Sequence, residues 1–204
     1  MKPTLLVLLI AACALAGTAR ADGDPASDYL LGTQVFFSID VKLPAAKQHE
    51  LVSIVRDANK SGYAVRVALI ASPYDLGAVT SLWRKPRQYA KFLGAELQFI
   101  YKHRLLVVMP NGFGFNWTKH PSTKEDTLLS AVPVGKGAVG MLDSAVTAVQ
   151  RLASASGVKV VRTPAAATPD KHGFLHSRAL IVLAVIAGLA VAVLLRLALR
   201  RKGP

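Results

Sequence analysis

The sequence predicts an α/β chain: a three-layer α/β/α domain around a central, mostly parallel sheet over residues 28–156, followed by a C-terminal transmembrane helix over residues 179–199. Three observations predict it. Short apolar, β-branched runs alternate with segments whose apolar residues recur at three- and four-residue steps, the order of strands and helices that builds a layered sheet. Leu105 to Met109 is a run of five apolar residues bounded by Arg104 and by Pro110-Asn111-Gly112, which suits a strand covered on both faces and is too short for a helix. Ala179 to Leu195 is seventeen residues without a charge. Extended by Leu197, Ala198 and Leu199 with Arg196 snorkelling, it matches the ~30 Å of a hydrocarbon core at ~1.5 Å per residue.

In chain order, residues 1–21 read as a secretory signal peptide: Lys2, an apolar middle from Leu5 to Ala12, and the small-x-small exit Ala19-Arg20-Ala21, with cleavage expected after Ala21. A second processing stays open, because Ile10-Ala11-Ala12-Cys13 resembles a bacterial lipoprotein box in which Cys13 is lipidated and kept. Cys13 is the single cysteine. Cleavage after Ala21 therefore leaves neither a disulfide nor a thiol nucleophile in the mature chain. Residues 22–27, with Gly23 and Pro25, read as a flexible lead-in.

Gln34 to Val41 mixes β-branched and aromatic residues and predicts a first strand. From Pro44 a helix follows, with Leu51, Ile54, Val55 and Ala58 on one face and Gly62 closing it; His49, Glu50, Arg56, Asp57 and Lys60 fall on the solvated side. Tyr63 to Ala71 is a second strand, exposed at its start and buried at its end. Trp83 to Leu97 predicts a helix restarted at Pro86 with Tyr89, Phe92, Leu93 and Leu97 inward. Arg84, Lys85, Arg87 and Lys91 give it a basic outer surface.

Arg104 to Met109 is the central strand, and Pro110 ends its ladder because proline lacks an N–H. Asn111-Gly112 tolerates a left-handed turn, so Phe113, Phe115 and Trp117 return as an alternating strand. Thr118 to Lys136 is polar and reads as a long loop. Ala138 to Ala153 carries apolar residues at 142, 145, 146, 149 and 152, the stripe of a final helix covering the sheet. Residues 157–178, with Pro164 and Pro169, read as a stem linker.

Arg196, Arg200, Arg201 and Lys202 follow the apolar run, whereas Lys171 and Arg178 precede it. That asymmetry makes residues 200–204 a basic cytoplasmic tail and puts the domain outside a bacterial plasma membrane on a single-pass anchor. The chain carries 25 basic and 12 acidic residues, a formal charge of +13. With the two basic residues of the leader and the four after the apolar run set aside, the exposed part keeps about +7, a surface suited to anionic lipid headgroups. Nucleic acid is disfavoured as a partner, since no recognised binding motif is present and the location is wrong.

Catalytic motifs are missing: no Gly-rich phosphate loop ending in Gly-Lys-Ser/Thr, no Gly-x-Ser-x-Gly elbow, no His-Glu-x-x-His helix. The catalytic residues are therefore unknown. Ligand-binding candidates are Ser72 and Asp75 after the second strand and Asn111 and Gly112 after the third, where open α/β sheets place ligands. Asp75 reads either as a helix cap or turn residue or as a metal or ligand contact. His49, His103 and His120 are scattered, and His172 and His176 stand four apart without a further ligand. Asp40, Asp75 and Asp126 are isolated, so no metal site is predicted and no cofactor is assigned.

The leader, the alternating strands and helices, the segments Tyr63 to Ala71 and Arg104 to Gly114, and the trailing apolar run together resemble a bacterial TPM-domain protein. That family is named after a thylakoid-lumen photosystem repair protein and related membrane-tethered proteins, including a receptor modulator. The resemblance covers about residues 28–156. It implies an extracytoplasmic α/β/α domain that assists membrane protein complexes, with phosphatase activity and binding of a divalent cation proposed for some members. It carries no catalytic residue across.

The expectation from topology and from the missing catalytic constellation is a membrane-anchored accessory or binding domain that assists a membrane protein complex without being an enzyme. Its partners would be the membrane and another membrane or envelope protein. The alternative expectation is a metal-assisted, phosphatase-like hydrolase with its site near Ser72, Asp75, Asn111 and Gly112.

Overall fold

In a computed structural model the described residues are 23–161. The predicted signal peptide with Cys13, most of the stem, His172 and His176, the apolar run 179–199 and the tail 200–204 lie outside them. Among the described residues no helix is long and apolar enough to cross a membrane.

The predicted lead-in is instead the start of helix α1, Pro25–Gly32. Proline at its first position costs no hydrogen bond, and Asp24 caps it by accepting from the Ala26 amide at 3.4 Å. Leu30 and Ala26 are buried against the next elements, so the segment is held by packing rather than by length.

Strand β1 is only Val35–Phe36, shorter than the predicted Gln34 to Val41. Helix α2, Ala45–Lys60, has Pro44 at its N-cap and buries Leu51, Ile54, Val55 and Ala58 as predicted. Glu50 departs from the expected solvated face: it is buried and meets Lys47 at 3.2 Å. Lys47 also holds Asp143 at 2.6 Å, and these two carboxylates raise its pKa above the ordinary lysine value. Strand β2 is Val65–Leu69. Tyr63, expected to be exposed at its start, is buried.

A 3₁₀ segment, Pro73–Leu82, kinked at Gly77, leads into helix α3, Pro86–Leu97. Tyr89, Leu93 and Leu97 of α3 are buried. Strands β3, Arg104–Met109, and β4, Gly112–Trp117, form the predicted hairpin, in register from Arg104 opposite Trp117 to Met109 opposite Gly112. The predicted long loop contains helix α4, Thr123–Ser130, whose first turn carries Glu125 and Asp126 where the helix dipole favours acids. Helix α5, Gly137–Ala155, buries Leu142, Ala145, Val146, Val149 and Leu152.

The four strands lie in the order β1-β2-β3-β4, with β1, β2 and β3 parallel and β4 antiparallel. The architecture is thus a mixed α/β sheet with helices on both faces. Alternation along the strands feeds two cores. Val67, Leu69, Leu106, Val108 and Phe115 meet α2 and α5 on one face. Ala68, Ile70, Leu105, Val107 and Met109 meet α1 and α3 on the other.

Because the strand order is sequential while α2 and α3 cover opposite faces, the two parallel crossovers have opposite hands. One of them is left-handed, against the right-handed rule that holds for about 98% of such connections. On the face of β4 turned to α3, Gly112 and Gly114 carry no side chain, so the helix lies directly on the strand. A Cβ on Gly114 would fall on the Pro86 carbonyl, and one on Gly94 would meet the Asn116 amide.

Candidate functional site

The carboxyl ends of β2 and β3 and the start of α2 and α5 lie at one end of the sheet. Of the sequence candidates, Ser72 and Asp75 come together there, but in a closed arrangement. Ser72 Oγ accepts from the Tyr74 amide at 3.1 Å, capping the 3₁₀ segment. Asp75 is wholly buried. Its Oδ1 accepts from Ser38 Oγ at 3.0 Å and the Ile39 amide at 2.8 Å. Its Oδ2 accepts from the amides of Ala71 and Ser72, each at 2.9 Å. Two donors at each oxygen satisfy a buried carboxylate without a cation. Of the two sequence readings of Asp75, the geometry is that of a turn and cap residue that ties the exit of β1 to the exit of β2.

Asn111 and Gly112 come together with part of the basic surface instead. Asn111 Nδ2 donates to the Arg84 carbonyl at 2.7 Å. Arg84 has a left-handed backbone, φ 58°, a conformation that costs a non-glycine residue about 1 kcal/mol and persists where neighbours hold it. The side-chain amide of the hairpin turn does that holding, and it fixes the start of α3 beside the turn.

Between α3, the turn and α4 runs a groove of about 600 Å³. Lys85, Arg87, Gln88 and Asn111 stand on its polar side, and Phe113, Leu129, Val132 and Val134 supply apolar lining. Lys85, Arg87 and Gln88 are exposed. Arg84 touches this region through its carbonyl, while Lys91, one turn along α3, is exposed but does not line the groove. A second cavity of about 400 Å³, lined by Val41, Ala71, Pro110, Val134 and Met141 among others, adjoins it by sharing Pro110 and Val134.

Asp126 is one of the three acids that sequence reading left isolated. Its Oδ2 accepts from Ser122 Oγ at 3.1 Å. Its Oδ1 is buried without a hydrogen bond, yet Arg87 Nε lies 3.8 Å from it, an ion pair too long for a hydrogen bond. Asp126, Leu129 and Ser130 all enter the groove because α4 exists where a loop was expected. Ser122 three residues ahead of Glu125 was the available sequence signal, a helix-start pattern without the apolar run that would have made it legible. Among the described residues no group of three His, Cys, Asp or Glu side chains could hold a metal ion.

No family model matches the sequence, and no curated protein does. Among solved structures the chain is similar to the solution NMR structure of the N-terminal domain of the cg2496 protein from Corynebacterium glutamicum, at 13% identity and a TM-score of 0.41, over 70% of this chain and 89% of that one.

Proposed function

We propose that the protein is a membrane-anchored, extracytoplasmic accessory domain on the outer side of a bacterial plasma membrane, and that it binds a segment of another membrane or envelope protein without catalysing a reaction. The groove between α3, the hairpin turn and α4 carries this reading. Apolar residues beneath a rim that includes Lys85 and Arg87 suit an extended segment with apolar side chains and at least one carboxylate. The engagement of Asp75 supports binding over hydrolysis, because each of its carboxylate oxygens already accepts from two donors. The resemblance to TPM-domain proteins points the same way.

A photo-crosslinking amino acid at Gln88, on the groove, tests it in cells expressing the full chain. The expected result is a discrete adduct with a membrane or envelope protein that weakens several-fold when Lys85 and Arg87 are both changed to Glu. A crosslinker at Val52, exposed on α2, is the control. Equal labelling from both positions, or labelling indifferent to the charge reversal, would overturn the proposal.

A further inference from the structure

The end of the sheet opposite the groove has a distinct chemistry. β2 and β3 begin there, with Val65 beside Arg104, and β4 ends there at Trp117. Gly94 of α3 lies against Asn116, so the connection from Gln98 to His103 is at the same end. So is the point where the chain leaves the domain. Lys124 Nζ, near the start of α4, reaches the Ala155 carbonyl at the end of α5 (3.4 Å), and Gln150 Nε2 reaches the Val160 carbonyl (3.4 Å).

At this end Phe99 and Ile100 stand out as an adjacent pair, 87% and 64% exposed. Phe99 is the most exposed large hydrophobic residue among those described. A single exposed apolar side chain needs no explanation, whereas an aromatic and an aliphatic side by side make a local apolar tip. Their surroundings are basic. Lys60, Lys102, Lys119, Lys124 and Lys159 are exposed at this end. Against them stand Asp57, already 3.4 Å from Arg56, with Glu96 and Glu125.

We infer that this end is a membrane-docking face, on which Phe99 and Ile100 enter the interfacial layer of an anionic bilayer while the lysines around them meet lipid phosphates. The inference rests on the reading of the chain as membrane-anchored. From Val161 to the apolar run that begins at residue 179 there are seventeen residues, which span at most ~60 Å when extended. A connection of at most that length, counted from Val161 at the lysine-rich end, allows Phe99 and Ile100 to meet the same bilayer. Anionic headgroups complement the charge, and an apolar tip with flanking lysines is the pattern of interfacial attachment. The basic residues Arg84, Lys85, Arg87 and Lys91, read from sequence as a basic outer surface, belong to α3 and the turn before it. Arg84 and Lys85 lie at the other end of the sheet, apart from Phe99 and Ile100.

The full chain, reconstituted in vesicles of phosphatidylcholine with phosphatidylglycerol, tests this with an environment-sensitive fluorescent amino acid at Gln98, at Tyr74 or at Ala190, and a phospholipid nitroxide quencher. The label at 98 should be quenched several-fold more than the label at Tyr74, which is exposed at the opposite end. Changing Phe99→Ser and Ile100→Ser together, both exposed and so without cost to folding, should remove that difference. Vesicles of phosphatidylcholine alone should weaken it. If Ala190 is quenched but 98 is no more quenched than 74, the docking face is overturned while the anchor stands. If 98 is quenched and 190 is not, the docking face stands without the anchor. If none is quenched, both fall.

Discussion

Asp75 Oδ1 lies 2.8 Å from the Ile39 amide, a hydrogen bond across 36 residues that stops β1 after two residues and turns its exit towards β2. With Ser38, Ala71 and Ser72 also donating, the carboxylate organises both loops, and its removal would leave buried amides unpaired. Asp75→Asn keeps the shape but turns an NH₂ towards amides that need an acceptor. We expect it to destabilise the fold by about 2–3 kcal/mol, read by urea unfolding. A hydrolase using Asp75 would show a second effect: phosphoester hydrolysis by the parent, with or without a divalent cation, that disappears in Asp75→Asn under conditions where the variant is still folded.

The contact of α3 with β4 makes a second pair of expectations. Gly114→Ala would set a methyl group against the Pro86 backbone, which has no side-chain torsion to relieve it. Lifting the helix from the strand should cost more than about 3 kcal/mol or prevent folding. Gly94→Ala would press only on the Asn116 side chain, which can rotate away. Its cost should be about 1 kcal/mol, so the two thermal midpoints should separate clearly.

What was legible in the sequence follows from what carries each element. Leu105 to Met109 and the stripe Leu142, Ala145, Val146, Val149, Leu152 are periodic because they are core, and periodicity is local. Helices α1 and α4 escaped because each is eight residues long. Such helices depend on caps and tertiary packing rather than on an apolar face. β1 read too long because Ser38 and Ile39 have strand-like neighbours but are drawn off by Asp75, a partner far along the chain. Asn111 and Gly112 were placed correctly at a strand end. That Asn111 would steady Arg84 depends on a 27-residue separation that no local pattern encodes.

The start of α1 gives the fold a pH dependence. Asp24 accepts from the Tyr89 hydroxyl at 2.7 Å, and its Oδ2 is buried without a hydrogen-bond partner among the described residues. Burial, only partly offset by the Tyr89 bond, raises its pKa from 3.8 to about 6. The folded chain then binds this proton more tightly than the unfolded chain. Its contribution to stability is therefore greatest below pH 4, falls as the pH rises towards 6, and is constant above that. The total fall is about 3 kcal/mol at most. Asp24→Asn, which keeps a capping oxygen for Ala26 and Tyr89, should flatten unfolding free energy across this window and be at least as stable as the parent at neutral pH.

Arg104 reads from sequence as the charge that bounds a strand, yet its guanidinium lies 4.4 Å from the ring centre of Tyr63 and 3.9 Å from that of Trp117. Trp117 is its cross-strand partner in β4 and stacks on His120 with ring centres 3.8 Å apart. A planar cation between two aromatic faces gains from both, about 0.5–1 kcal/mol each at partly exposed sites and more when desolvated. Lysine is a poorer substitute because its ammonium is compact and strongly hydrated. Arg104→Lys should therefore lower stability by about 1 kcal/mol despite conserving charge. A double-mutant cycle of Arg104→Met with Trp117→Leu isolates the pair. A coupling near 1 kcal/mol would assign the closure of this end of the sheet to the stack, and a coupling near zero would mean that the aromatic rings close it by burial alone.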